Sequence, residues 1–314
     1  MLALLITYLM LACLGCPQSI GAQGMPNMSM QEKILNGVPY TDEEWNQYLN
    51  TVHSQTSGVT VPFATFPTDL GPDTYQVILD EIPATAKQIW EVGCGDAHLI
   101  EMVWNRFKEK AKIGGSDLVA SEIEVAKKRL GHTGMKLLAE PIQHMSNGTA
   151  SSDVVLAHLV LMLVLPLDPA EREIHRILAP NGTLLSVVTR PDAPDSLMNQ
   201  VFDFMENFIR KHYPKFSTIR SGDRRMLSTD GIKGIFSDDK GYKDLKFKDY
   251  SMLMEDTPEQ IWERFFATTH TFLVLPERLR GQLRTEALQW MQLRATNGRI
   301  KMDQPLRLFS VRRK

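Results

Sequence analysis

Cysteine is scarce in this chain: three in 314 residues, two of them, Cys13 and Cys16, near the start. That excludes a disulfide-stapled scaffold and a four-ligand cysteine zinc site. Charge of one sign is also missing, because 35 Lys+Arg oppose 37 Asp+Glu for a formal net charge of -2. A general basic footprint for nucleic acid is therefore absent. No internal repeat or low-complexity tract interrupts the sequence. With 43% apolar and 23% charged residues, the composition excludes collagen-like, disordered and multi-span membrane chains. The length suits one large domain, or one domain with a substantial elaboration.

The front end is unusual. Leu2 to Cys16 reads LALLITYLMLACLGC without a charged side chain. As a helix it would reach about 22 Å, short of the roughly 30 Å hydrocarbon core of a bilayer, so it matches the core of a signal peptide better than a membrane span. Ile20-Gly21-Ala22 offers a cleavage site before Gln23, and Leu14-Gly15-Cys16 resembles a lipoprotein box, yet no Lys or Arg precedes the apolar run. Residues 1–30 are read as a signal-like or disordered leader. A true signal would send the protein to the secretory pathway or a membrane, with membrane association through the leader only; otherwise the protein is cytoplasmic.

Residues 31–83 read as an N-terminal helical cap. Thr41 with Glu44 forms a capping box ahead of a helix containing Trp45 and Tyr48. Gly71-Pro72 breaks the chain, and Asp73 starts a second helix carrying Tyr75, Val77 and Ile78. From residue 84 onward short apolar runs alternate with amphipathic stretches. Strands are expected at Ile89–Val92, Ile113–Asp117, Lys136–Ala139, Val154–Leu156 and Thr183–Val188. Helices are expected at about Ala97–Lys110, Ser121–Leu130 and Pro169–Leu178. Such alternation predicts βαβ units and a parallel, doubly wound α/β sheet. Downstream, a helix is expected over Asp195–His212, an irregular polar insertion near a site mouth over 214–243, and a strand over Leu245–Leu253. Helices beginning at Pro258 and Pro276 and a last strand at Leu306–Val311 complete the chain, the two late strands forming an antiparallel edge pair. Residues 195–296 are the expected substrate-side elaboration.

The chemistry concentrates in Glu91-Val92-Gly93-Cys94-Gly95-Asp96-Ala97, a strand ending in a glycine-rich turn that opens a helix. Glycine suits such a turn because the backbone must bend tightly and let a ligand approach it. Asp117 ends the next strand, where a carboxylate can accept both hydroxyls of a ribose. Glu140-Pro141 follows strand three, Ala157-His158 closes strand four, and Leu178-Ala179-Pro180-Asn181-Gly182-Thr183 makes the turn into strand five.

Taken in order, these segments resemble the class I S-adenosylmethionine-dependent methyltransferases, over roughly residues 75–190 and, weakly, over the closing strand. Ala97 stands where that family's third glycine is expected, and Asn181 replaces a glycine of the later turn; Asn tolerates left-handed backbone well. The resemblance implies a mostly parallel seven-stranded Rossmann-like sheet with an antiparallel edge strand and helical additions. It also implies S-adenosylmethionine as cofactor. On the same footing, Glu91 would lie near the methionine amino group, and Gly93, Cys94 and Gly95 would form the floor. Asp117 would hold the ribose, Leu118 would lie against adenine, Glu140 or Pro141 would meet the adenine edge, and Ala157 or His158 would border the methionine end. His158 is the candidate catalytic base or acceptor-positioning group. His270 and Tyr40 are further candidates for the acceptor pocket, whereas the stripe Trp262, Phe265, Phe266 has the spacing of core residues.

No Asn/Asp-Pro-Pro-Tyr/Phe motif follows strand four, which with the near-neutral charge argues against a nucleic-acid substrate. The expected activity is methyl transfer to an O or N atom of a small-molecule acceptor, with no metal. An NAD(P)-dependent oxidoreductase is the alternative enzyme, and a non-catalytic protein on the same fold is the alternative outside enzymes.

Overall fold

The computed structural model describes residues 28–55, 61–191, 193, 196–219 and 222–314. The leader through Asn27 and the expected helix start at Asp195 lie outside the described residues. Seven strands form one sheet: β1 Gln88–Val92, β2 Lys112–Asp117, β3 Lys136–Ala139, β4 Ser152–His158, β5 Leu178–Thr189, β6 Tyr242–Asp256 and β7 Ile300–Arg313. Their order is β3-β2-β1-β4-β5-β7-β6. β1 to β5 pair in parallel, and β7 runs antiparallel to both of its neighbours, β5 and β6. The antiparallel strand thus sits one place in from the edge, and β6 closes the sheet.

The order follows from burial. β1 and β4 are buried on both faces, as a strand inside a parallel sheet must be. Alternate residues then feed two cores. Val154, Leu156, Leu185 and Val187 join Trp45, Ile78, Phe208, Trp262 and Phe266 on one face. Val155, Ala157, Leu184 and Val188 join Ala170, Ile174, Ile232 and Ile235 on the other. Asp153 serves the sheet's far end, its carboxylate accepting the Lys87 and Gln88 backbone N–H groups at 2.8 and 3.0 Å. Trp262 and Phe266 are fully buried, so that stripe belongs to the core.

Local rules set the helix starts. Thr41 and Glu44 exchange backbone N–H bonds at 2.9 and 3.2 Å, opening the helix Asp42–Gln55. Asp73 caps Thr74–Asp80 by accepting the Gln76 N–H at 2.8 Å. The turn before the paired part of β5 holds Asn181 in left-handed backbone (φ +63°), as its composition suggests.

The segment 214–243 departs from expectation. It carries a helix, Thr229–Ile235, and buries Met226, Ile232, Ile235 and Phe236 on the second face of the sheet. Its apolar residues are thinly spread among polar ones, but Ile232 and Ile235 stand three apart and share one helix face. None of the described residues of this segment borders the cleft described next. Among the described residues, no helix is long and apolar enough to cross a membrane.

Candidate active site

β1 delivers the chain into a turn of three left-handed residues: Gly93 (φ +64°), Gly95 (φ +52°) and Ala97 (φ +66°), the last standing just before the helix His98–Phe107. The glycines have different surroundings. A Cβ on Gly93 would run into the Val160 side chain, whereas one on Gly95 would meet no atom within 4 Å. Bare main chain at Gly95 therefore faces open space, which is what close approach by a ligand requires. Ala97 holds left-handed backbone despite its methyl, at a cost of about 1–2 kcal/mol. Asp96 is tied to Arg129 at 2.6 Å, which anchors the turn to the helix Ala120–Leu130.

Asp117 stands at the end of β2 beside this turn. One carboxylate oxygen accepts the Gly95 N–H and the other the Val119 N–H, both at 2.8 Å. These bonds fix the carboxylate's orientation and use one lone pair on each oxygen, leaving the others for a ligand. Burial pushes its pKa up, and the same two N–H groups pull against that shift.

The cleft above holds about 1020 Å³ of empty space, its mouth included. Its floor is Gly93, Gly95, Asp96, Asp117 and Leu118, and one wall is Pro141, Ile142 and Gln143. His158, Leu159 and Val160 bound it at the carboxyl end of β4. Leu159 takes left-handed backbone (φ +57°), an outlier for a bulky residue and of the kind that clusters at functional sites. The roof is the helix Asp42–Gln55, which presents Asn46, Leu49 and His53 at helical spacing. Trp45 and Asn46 dock that roof by donating to the carbonyls of Leu163 at 2.9 Å and Leu165 at 2.8 Å.

Of the residues singled out in the sequence, Gly93, Gly95, Asp117, Leu118, Pro141 and His158 line the cleft. Glu91, Cys94, Glu140 and Ala157 do not. Glu91 and Ala157 are buried in the sheet behind it. The Cys94 thiol is buried, contacts the Gly95 carbonyl at 3.8 Å, and is pushed well up in pKa by burial and then by Glu91. The Glu140 carboxylate turns away to accept the Ser146 N–H at 3.1 Å, while its own N–H donates to the Asp117 carbonyl at 2.9 Å. His270 packs behind the roof against Trp45, Tyr48 and His53, and Tyr40 stacks on Trp45; neither reaches the lining.

Sequence reasoning missed Asn46, Leu49, His53, Glu122 and Gln143. The spacing 46, 49, 53 on an amphipathic helix was the available signal. Glu122 is 8% exposed and lines the cleft, and its carboxylate has no hydrogen bond or ion pair among the described residues.

His158 is buried, and its Nε2 lies 2.9 Å from the Thr74 hydroxyl. Its ring stacks on Tyr75 at 4.0 Å between centroids. Burial, with a smaller contribution from His98, pushes its pKa down to about 3, so the ring is neutral at ordinary pH.

Carboxylates dominate the electrostatics. Burial raises Glu91 well above the usual range, with Asp117 and Asp96 adding to the shift, and one Glu91 oxygen is buried without a partner. Burial also raises Asp117 and Glu122. Such a cluster fits a cationic ligand that carries a vicinal diol. The sign of the pH effect follows. Between the unfolded carboxylate values, about 4, and the raised folded ones, the folded state binds more protons than the unfolded. The stability of the ligand-free protein therefore falls as pH rises through that window. The expected result is a denaturation midpoint that drops from acid toward neutral pH, with a flatter slope for Glu91→Gln. An unchanged slope in that variant would mean that Glu91 is ionised at ordinary cost.

Comparison with known proteins adds the chemistry. Residues 90–186 match a family model described as a methyltransferase domain. No curated protein matches the chain. Among solved structures, the [4+2]-cyclase SpnF shares 14% identity over 87% of this chain and 96% of its own, with a TM-score of 0.55. Phosphoethanolamine N-methyltransferase 2 of Haemonchus contortus, in complex with phosphomonomethylethanolamine and S-adenosylhomocysteine, shares 15% over 86% of this chain and 60% of its own, at 0.53. The YcgJ protein of Bacillus subtilis shares 17% over 76% and 97%, at 0.50. At such identities the likeness establishes the fold, and a cyclase among these structures shows that the fold alone does not settle the reaction. The domain match covers the glycine turn, Asp117 and His158, the elements that build the cleft. Residues 90–186 accordingly form a methyltransferase domain, and S-adenosylmethionine is its cofactor.

Proposed function

We propose that this protein transfers a methyl group from S-adenosylmethionine to an O or N atom of a small-molecule acceptor. The observation that carries this reading is the roof: the helix Asp42–Gln55, pinned through Trp45 and Asn46, bounds a cleft of about 1020 Å³. A concave cleft closed over by a helix, with a few polar groups among apolar ones, is the usual form of a small-molecule site. A long basic groove for a polymer would look different, and a net charge of -2 gives no general basic footprint. On this reading residues 31–83 act as the cap of the 84–314 domain.

When bound, the donor supplies a methyl group on a positively charged sulfur, whose departing thioether is a good leaving group. The protein's own part is alignment, and holding reactants in line is worth about 7–11 kcal/mol. Gly95 and Gly93 provide the floor, Asp117 takes the ribose hydroxyls, and Leu118 with Ile142 encloses the adenine. Glu91, from behind the turn, offsets the donor's positive charge without touching it, and Cys94 and Ala157 fill space beneath the floor. Glu140 acts through its N–H bond to the Asp117 carbonyl. His158 meets the acceptor at the end of β4.

The test is transfer of a tritiated methyl group from S-adenosylmethionine into cell extracts. Label should enter the metabolite fraction; label confined to macromolecules would overturn the small-molecule acceptor. Calorimetry should show binding of S-adenosylhomocysteine and none of NADH, and the reverse would make the cleft a nicotinamide site.

A further inference from the structure

His158 has two ring nitrogens, and only one of them can serve the cleft. We propose that Thr74 is a positioning residue that holds His158 as its Nε2–H tautomer, leaving Nδ1 as a proton-free acceptor for the N–H or O–H of the methyl acceptor. This rests on the reading of His158 as the residue that meets the acceptor.

The assignment comes from counting protons. Thr74 is fully buried at the start of the helix Thr74–Asp80. Its hydroxyl lies 3.0 Å from the Phe63 carbonyl oxygen and 2.9 Å from His158 Nε2. A carbonyl only accepts, so the single hydroxyl proton goes to Phe63. The Thr74 oxygen then turns a lone pair to the imidazole, and Nε2 must be the donor. A neutral imidazole carries one N–H, so Nδ1 has none. No hydrogen bond to Nδ1 comes from the described residues, and His158 is among the residues that line the cleft.

The surroundings hold this arrangement. Tyr75 stacks on one face of the ring with planes 25° apart, and Phe63 meets it edge-on at 81°. His98 packs on the edge of Tyr75 at 4.7 Å and adds a small push that keeps His158 neutral. Asp73 caps the helix that carries Thr74, and Leu159, next to His158, bonds its N–H to the Val187 carbonyl at 2.9 Å. With both ends fixed, moving the proton to Nδ1 would set the Nε2 lone pair against the Thr74 oxygen, and turning the ring over would replace Nε2 there by the Cε1–H group.

The consequence is selectivity. Nδ1 welcomes an acceptor that still carries a hydrogen on its nucleophilic atom. A carboxylate or a fully substituted amine would place lone pair against lone pair or offer nothing to bind. Acceptors of the favoured class are primary or secondary amines in neutral form, heteroaromatic N–H groups, and hydroxyls.

The experiment is nitrogen-15 imidazole spectroscopy on the full chain saturated with S-adenosylhomocysteine, with the His158 signal identified from its loss in His158→Gln. The expected result is a protonated Nε2 and an unprotonated Nδ1. Thr74→Val, which keeps the shape and removes the hydroxyl, should blur that signature. It should also cut labelled-methyl transfer into the metabolite extract by about 10–100-fold, the range seen when a histidine loses the partner that orients it. S-adenosylhomocysteine affinity should be unchanged, and Thr74→Ser should restore both readouts. An Nδ1–H tautomer in the unaltered protein overturns the proposal, as does a Thr74→Val variant with the original signature and rate. Should Thr74→Val fail to fold, the tautomer of the unaltered protein and the rescue by serine still decide. Failure of the unaltered protein to bind S-adenosylhomocysteine would instead refute the methyltransferase reading.

Discussion

Asp117→Ala is expected to weaken S-adenosylhomocysteine binding by about 10²- to 10⁴-fold. On the proposed reading, Asp117 makes two charge-assisted hydrogen bonds to the ribose hydroxyls, worth about 1.5–3 kcal/mol each, and every 1.4 kcal/mol is tenfold in affinity. The carboxylate also organises the site, because Gly95 and Val119 both direct their N–H groups at it. Alanine would leave those donors without their acceptor and loosen the turn that forms the floor. Asp117→Asn separates the two effects. It keeps the shape but must point an NH₂ group at one of the two backbone donors, so it loses more than charge and should fall close to alanine. Calorimetry with S-adenosylhomocysteine measures the binding, and the denaturation midpoint shows whether the fold survives. Affinity within a few-fold of the original would place the ribose elsewhere.

How far the sequence could be read follows from the range of the interactions involved. Strands β1 to β5 are short apolar runs bounded by turns, and their helices announce themselves by local caps such as Asp73 and Thr41 with Glu44. The glycine turn and Asp117 are legible because backbone geometry and one carboxylate lie within 26 residues of each other. What was hidden is what pairs across long separations. Trp45 reaches Leu163, 118 residues away, and Thr74 reaches His158, 84 residues away. No periodicity encodes such contacts. The segment 214–243 misled for another reason: its polar average masks Ile232, Ile235 and Phe236, which suffice to bury one short helix. Glu91 shows a third limit. Its place in the glycine motif is plain, but its burial behind the turn depends on the packing of the helix that follows.

Trp45→Ala is expected to lower stability by about 3–5 kcal/mol, the usual range for removing a buried tryptophan, against a total of about 5–15 kcal/mol for a folded domain. Trp45 is 0% exposed, its ring is surrounded by Tyr40, Tyr48 and His270, and its Nε1–H bonds the Leu163 carbonyl. It does not line the cleft, yet the next turns of its helix supply Asn46, Leu49 and His53, which do. The helix has no independent reason to stay, since fourteen residues are marginal alone in water. Loss of the tryptophan should therefore be felt as release of the roof before global unfolding. Hydrogen exchange should quicken across the helix Asp42–Gln55 while the amides of β1, β4 and β5 remain protected. S-adenosylhomocysteine affinity should fall with it, because binding must then also order the roof. Trp45→Phe keeps the ring packing and loses only the bond to Leu163, so it should cost about 1–3 kcal/mol, the penalty for a buried carbonyl left without its donor. Unchanged exchange over the helix in Trp45→Ala would show that the roof is held by its other contacts, with Asn46 and the Lys33–Glu44 pair as the remaining candidates.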